Sequence, residues 1–195
     1  MKQNNAILIF RKNEIQGKVK TRIAKDCNEQ MALEIYKTLC SKTIDVCNES
    51  TIPIIHYYSD FIPEQHIKCI NRIQHGEDLG ERMCNAFLES FEEYDKLILV
   101  GTDCPYIEAS DIHLSIELLE KKDVVLGPCP DGGYYLIAMN RIHKSIFKNI
   151  EWSSEKVMRQ TCAILDELKL DYAFTPEHKD IDNLNDWQNY EQGIK

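Results

Sequence analysis

A basic loop near the start of the chain has the composition of an anion site. Six basic residues lie between positions 11 and 25 of a chain with a net charge of −9: Arg11, Lys12, Lys18, Lys20, Arg22 and Lys25. Gly17 lets the backbone approach a ligand closely, and in an extended loop Lys20 and Arg22 point the same way. Lysine offers a compact charge, and arginine offers a forked donor for phosphate oxygens. The loop therefore predicts a phosphate site, with a solvated charged loop as the alternative.

An aspartate follows the apolar run at residues 97–100 almost directly, in the sequence Gly-Thr-Asp-Cys-Pro. In an open α/β sheet, ligands bind outside the carboxyl ends of the strands, so Asp103 would face a ligand crevice. Hard cations such as Mg²⁺ favour carboxylate oxygens and bridge them to phosphate. Asp103 is therefore a candidate metal ligand. The alternative is that it caps the turn that follows.

Two more acidic motifs occur later in the chain. In residues 127–135, two prolines and two tyrosines flank Asp131-Gly132-Gly133, a stiff loop that can present Asp131 to a hydroxyl acceptor or simply form a hairpin turn. Asp180 and Asp182 share one side of the chain if that segment is extended. Asp182 or Asn183 can also serve as the N-cap of a last helix.

Two shorter motifs could add to the same site. Arg82, after Gly80, could reach a phosphate or a base, or it could pair with a carboxylate on a helix surface. Trp152, before Ser153, could form the wall of an acceptor site or belong to the core.

These residues need elements that bring them together. Apolar runs predict strands at residues 6–10, 52–58, 67–73, 97–100, 124–126, 134–139 and 172–175. Helical periodicity predicts helices between them, including one at 79–91, one capped by Ser110, one capped by Ser153 or Ser154, and a short last one at 184–190. Alternating strands and helices predict an α/β fold, a single-domain sandwich over residues 1–195 around a mainly parallel sheet. The polar loops after Phe10, Val100 and Leu126 would then share one sheet edge.

Composition narrows the function classes. The chain is 43% hydrophobic and 28% charged, as in ordinary globular proteins, and its acidity disfavours nucleic-acid or anionic-membrane partners. Its eight cysteines form no Cys-x-x-Cys pair, which argues against a zinc site. Several of them lie in apolar stretches and no signal-peptide pattern is apparent, so we expect reduced thiols in a cytoplasmic protein. No apolar window reaches the length of a membrane span. The oligomeric state is left open.

The motifs, taken in order, resemble a bacterial family of the nucleotide-diphospho-sugar transferase superfamily. That family was long a domain of unknown function and is often labelled as glycosyltransferases of arsenosugar-biosynthesis type. The resemblance covers nearly the whole chain and rests on residues 9–10, 17–22, 78–83, 101–105, 123–128, 131–136, 152–153 and 180–182.

This resemblance implies a GT-A fold, a Rossmann-like α/β/α sandwich, and a divalent metal, Mg²⁺ or Mn²⁺. Asp103 then looks like the metal-binding aspartate, Asp182 like a second metal contact, and Asp131 like the acceptor-side general base. The implied nucleotide and phosphate contacts are Arg11, Gly17, Lys18, Lys20, Arg22, Gly80 and Arg82. The implied acceptor contacts are Asp131, Gly132, Gly133, Tyr134, Trp152 and Ser153.

The chain departs from the family pattern in two places. Residues 14–16 replace the usual prolines before Gly17, which predicts a more mobile segment, and residues 183–185 replace Thr-Pro-Glu after Asp182. Three functions stay open: a metal-dependent glycosyltransferase with a nucleotide-sugar donor and a small-molecule acceptor, a guanylyl- or cytidylyltransferase-like nucleotidyltransferase with a phosphorylated or carboxylated acceptor, and a non-catalytic nucleotide-binding protein.

Overall fold

Seven strands form one sheet at the centre of the computed structural model, which describes residues 3–64 and 69–194. The strands are β1 (Gln3–Arg11), β2 (Ile54–Tyr58), β3 (Ile70–Ile73), β4 (Tyr94–Val100), β5 (Val124–Pro128), β6 (Tyr134–Met139) and β7 (Tyr172–Phe174). Their order is β3-β2-β1-β4-β6-β5-β7. Among these strands β6 alone runs antiparallel to its neighbours, so the sheet is mainly parallel, as predicted.

Helices cover both faces of this sheet. They are α1 (Thr21–Asp26), α2 (Glu29–Glu49), α3 (Leu79–Ser90), α4 (Ala109–Leu118), α5 (Val157–Glu167) and α6 (Leu184–Glu191), with a short 3₁₀ helix at Lys144–Phe147. Residues of α3, α5 and the 3₁₀ helix pack on one face, and residues of α2 and α4 pack on the other. Helices α1 and α6 pack against α2 in a smaller cluster. The predicted three-layer α/β/α Rossmann-like fold is therefore confirmed.

The central strand β1 shows why the continuous apolar runs become parallel strands. Leu8 and Phe10 belong to the cluster under α3, whereas Ile7 and Ile9 belong to the cluster under α2 and α4. Both faces of the strand are thus buried, and no polar alternation is possible.

The site's position follows from the order in which the strands are laid down. From β1 the chain moves outward to β2 and β3, and then returns to place β4 on the other side of β1. The carboxyl ends of β1 and β4 therefore flank a topological switch point, where open α/β sheets bind ligands. Arg11 ends the first of these strands, and Gly101 follows the second.

Two of the predicted helix caps are wrong. Helix α4 begins at Ala109, before Ser110, because Asp111 reaches back and accepts the Glu108 N–H at 2.9 Å. Helix α5 begins only at Val157, with Lys156 as its N-cap, because residues 152–155 form turns that pack on the β5–β6 hairpin. Asn183 does cap α6, since its side chain accepts the N–H of Asp186.

Several strand and helix boundaries also differ slightly from the prediction. Strand β3 begins at Ile70, and residues 65–68, which include the predicted start of that strand, lie outside the described residues.

No helix in the described ranges is long and apolar enough to cross a membrane.

Candidate active site

A cleft of about 680 Å³ opens at the carboxyl edge of β1 and β4. Residues of the basic loop line one side of it, and Tyr36 of α2 lies beside them. The aspartates after β4 and near residue 180 lie in the middle. Helix α3 and residues 152–155 form the opposite side. The motifs predicted from the sequence thus converge on one cavity.

Lys20 joins the basic loop to the acidic centre. Its backbone is left-handed, with φ at 44°, and α1 begins at the next residue. Its side chain is only 7% exposed, and Nζ lies 2.5 Å from Asp103 Oδ1 and 2.6 Å from the Ile181 carbonyl oxygen to which it donates. The predicted extended loop is therefore wrong, because the turn into α1 separates Lys20 from Arg22. Arg22 is exposed, and its Nη1 lies 3.7 Å from Asp182 Oδ2.

Three aspartates line the centre of the cleft. Asp103 is half exposed, and its backbone carbonyl accepts the Ile181 N–H at 2.9 Å, which fixes the late segment beside the end of β4. Asp180 and Asp182 flank Ile181 and both line the cleft. Burial, together with the carboxylates of Asp103 and Asp131, raises the pKa of Asp180 to about 7, and Lys20 opposes that shift.

This excess of negative charge fits a divalent cation. The described residues contain no group of three His, Cys, Asp or Glu side chains already arranged around a metal. Magnesium, however, is usually held by one or two carboxylates together with substrate phosphates and water. Asp103 and Asp182 supply such carboxylates beside the basic loop, and Asp180 lines the same cleft.

We expect Asp180→Asn to raise the free energy of unfolding of the ligand-free protein at pH 8 by on the order of 2 kcal/mol. With a folded pKa near 7, the folded chain keeps a proton that the unfolded chain releases from about pH 4 upward, so wild-type stability falls as pH rises through this window. The gain should shrink toward pH 4, which urea unfolding at pH 4, 6 and 8 measures. Asp95→Asn, on the exposed far end of β4, is the control. A gain independent of pH contradicts the expectation.

Residues on the basic side of the cleft already form contacts with other residues of the protein. Arg11 is buried, pairs with Glu14, and places its guanidinium 5.0 Å from the centre of the Tyr58 ring. The Lys12 backbone N–H donates to the Tyr36 hydroxyl at 2.7 Å. Burial raises the pKa of Tyr36, so this phenol is neutral at ordinary pH.

The opposite side of the cleft is aromatic. The Trp152 ring meets the Tyr134 ring edge-on, with centroids 6.5 Å apart. It also lies so close to Gly80 that a Cβ there would be 2.3 Å from the indole nitrogen. At Gly132, φ is +86° and a Cβ would be 2.1 Å from the Glu155 carbonyl oxygen. These two glycines let the hairpin, the 152–155 turn and α3 pack into one wall.

We expect Gly80→Ala to lower the free energy of unfolding by about 1–3 kcal/mol, because the added methyl group must displace the Trp152 ring. Gly101→Ala is the matched control, since a Cβ there would meet nothing within 4 Å. Denaturant unfolding compares the two variants. Equal losses would contradict the close approach of Trp152.

The cleft brings together ten of the residues predicted to bind substrate or metal. They are Arg11, Lys20, Arg22, Asp103, Asp131, Gly133, Tyr134, Trp152, Ser153 and Asp182. The remaining ones, Gly17, Lys18, Gly80, Arg82 and Gly132, lie outside its lining.

These outer residues have other contacts. Arg82 Nε donates to the Gly76 carbonyl at 3.1 Å and so closes the turn before α3. Gly17 has φ at +77°, which provides the turn that leads to Lys20, and Lys18 is exposed. Gly80 and Gly132 shape the aromatic wall by their lack of side chains.

Among the residues that line the cleft, Asp180, Tyr36 and Thr102 were given no role by the sequence analysis. The same-side spacing of Asp180 and Asp182 was a usable signal. Tyr36 gave none, because its position on the apolar stripe of α2 is that of a core residue. Thr102 lies beside Asp103, but its hydroxyl is aimed at Tyr36, 3.4 Å away, a contact across the fold.

Comparison with known proteins agrees with the motifs. Residues 60–154 match the family described as an uncharacterized protein conserved in bacteria, DUF2064. The resemblance drawn from the ordered motifs is thereby confirmed over this segment. A sequence comparison with curated proteins finds no match.

Solved structures extend the likeness to the whole fold. A Desulfovibrio desulfuricans G20 protein, provisionally named a nucleotide-diphospho-sugar transferase, is 25% identical with a TM-score of 0.91, covering 98% of this chain and 87% of its own. The 4-diphosphocytidyl-2C-methyl-D-erythritol synthase of Anaerococcus prevotii is 10% identical with a TM-score of 0.62, over 97% and 99%. Rv0371c of Mycobacterium tuberculosis, solved with manganese, is 10% identical with a TM-score of 0.57, over 100% and 99%.

The fold is thus the one shared by nucleotide-diphospho-sugar transferases and cytidylyltransferases. The prediction of an enzyme of the transferase class is confirmed by this likeness. The roles of single residues stay predictions.

Proposed function

We propose that the protein is a metal-dependent glycosyltransferase that moves a sugar from a nucleotide-sugar donor to a small-molecule acceptor. The observation that carries this proposal is the division of the cleft. Lys20 and Asp103 lie between a basic side suited to a diphosphate and an aromatic side, in a volume of about 680 Å³. Such a cleft has room for a donor and a second molecule at once.

The residues support a division of labour. Asp103 and Asp182 would hold Mg²⁺ or Mn²⁺, which when bound neutralises charge on the departing diphosphate. Lys20, which is paired with Asp103, would move its ammonium to a diphosphate oxygen when the donor binds. Asp131 is exposed in the cleft, and its Oδ1 accepts the Gly133 N–H at 2.9 Å, which orients the carboxylate.

Asp131 would act as the general base. It takes the proton from an acceptor hydroxyl as that oxygen bonds to the anomeric carbon. The bond between the anomeric carbon and the diphosphate oxygen breaks, and the electron pair leaves with the nucleoside diphosphate.

A second candidate is a nucleotidyltransferase that joins a nucleoside triphosphate to an acceptor and releases pyrophosphate. The observation in its favour is the fold shared with the Anaerococcus synthase. In this reaction the basic side would hold the β- and γ-phosphates, again beside Lys20.

Product analysis separates the two reactions. Purified protein, Mg²⁺ or Mn²⁺ and a panel of nucleotide sugars and nucleoside triphosphates are incubated with mixed small alcohols and sugars as acceptors. Release of nucleoside diphosphate supports the glycosyltransferase, whereas release of pyrophosphate supports the nucleotidyltransferase. If no nucleotide raises the melting temperature, with or without metal, both proposals fail.

A further inference from the structure

The charges in the cleft are distributed unevenly. The described residues that line it include four cations, Arg11, Lys12, Lys20 and Arg22, and all of them come from the segment that runs from the end of β1 to the start of α1. The lining from Gln74 to Val157, in the part of the chain that the structure describes, contributes no lysine or arginine. One side of the cavity is therefore suited to anions, and the other is not.

The other side has apolar walls. Leu79, the first residue of α3, lines the cleft and is 42% exposed. The partly buried Trp152 and Tyr134 and the buried Met83 and Val157 also line this side, and Met83, Trp152 and Tyr134 connect it to the core cluster under α3. Exposed apolar and aromatic surface inside a concave site is typical of small-molecule recognition.

Polar groups at this end are hydroxyls and carboxylates. Ser153 and Ser154 line the cleft, and so do Asp131 and Glu155, which are both exposed. Lys156, the next cation along the chain, is held by Glu151, with Nζ 2.8 Å from Oε2. An anionic group placed here would meet two carboxylates and no counter-ion among the described lining residues from Gln74 to Val157.

We infer that the acceptor is a neutral, hydroxyl-bearing small molecule with an apolar face, and that phosphorylated and carboxylated acceptors are excluded. This inference rests on the proposed function, since it assigns the aromatic side to the acceptor. The apolar face lies on Trp152 and Tyr134. A hydroxyl points to Asp131, and the serines bind the remaining polar edge.

The chain offers an internal reporter for this side of the cleft. Trp152 lines it, whereas the second tryptophan, Trp187, is buried in the cluster between α2 and α6. In Trp187→Phe, the fluorescence of Trp152 alone reports what binds to the aromatic side. Two probes that share the same phenyl glucoside and differ only by one phosphate group are phenyl β-D-glucopyranoside and its 6-phosphate.

We expect the neutral probe to quench Trp152 with a dissociation constant at least about tenfold lower than that of the phosphorylated probe. Glu155→Lys, made in the same background, should abolish or reverse this preference. Glu167→Lys makes the same charge change at an exposed position on α5 outside the cleft lining, and should leave the preference intact.

Equal or tighter binding of the phosphorylated probe to the parent protein overturns the inference, and so does the absence of quenching by both probes. A melting-temperature series with nucleotides and Mg²⁺ on the same protein keeps the two proposals apart. Nucleotide binding without discrimination between the probes leaves the proposed function standing. Discrimination without nucleotide binding removes the proposed function and retains only a neutral-ligand pocket.

Discussion

Asp103→Asn is expected to lower kcat by about a thousandfold while leaving the fold intact. The substitution removes the half-exposed carboxylate at the end of β4 but keeps its size and its backbone bond to Ile181. A neutral amide binds a hard divalent cation far less well than a carboxylate, so charge on the leaving diphosphate would go uncompensated. Steady-state kinetics at saturating metal and donor measure the loss.

The control for this variant is Asp95→Asn. It makes the same charge change on the same strand, but at the exposed amino end of β4. Its kcat should match that of the wild type. An Asp103→Asn enzyme that keeps more than about a tenth of wild-type kcat, with normal metal dependence, would remove Asp103 from the metal site.

Lys20→Met is expected to have two opposite effects. It should lower kcat by about a hundredfold, because Lys20 can no longer stabilise the departing diphosphate. It should also tighten the binding of Mn²⁺ alone by about tenfold, because Lys20 competes with a cation for Asp103 through a 2.5 Å ion pair. Kinetics and calorimetric titration of Mn²⁺ without nucleotide measure the two effects.

Lys25→Met serves as the control for charge. It removes an exposed lysine from α1, five positions further along, and should change neither quantity. If Lys20→Met weakens Mn²⁺ binding instead, the ion pair holds Asp103 in the geometry that the metal requires, and competition between the two cations is excluded.

The layers of the fold were predictable because they rest on local patterns. The run at residues 6–10 is apolar on both faces, and such a short run is typical of a buried strand of a parallel sheet. The placement of Asp103 at the carboxyl edge of the sheet followed from the same reasoning, whereas the switch point depends on the strand order. The predicted N-cap of α4 was wrong because Asp111, not Ser110, accepts a backbone N–H at the start of that helix. The predicted N-cap of α5 was wrong because the 152–155 turn is held by tertiary contacts with the β5–β6 hairpin.

The inner geometry of the site was less predictable. A left-handed Lys20 carries no sequence signature, because lysine seldom adopts that conformation. Its partners, Asp103 and the Ile181 carbonyl, lie far along the chain. The raised pKa of Asp180 likewise depends on Asp103 and Asp131, which only the folded sheet brings near it.

The bond from Lys20 to the Ile181 carbonyl spans 161 positions, and Ile181 in turn donates its N–H to the Asp103 carbonyl. Loops of that length are slow to close, so these contacts form after the local ones. A refolding chain can therefore assemble β1, β2 and β4 while it is still catalytically incompetent. On this order of events, we expect catalytic activity to return during refolding only when the segment around Asp180 docks beside the end of β4.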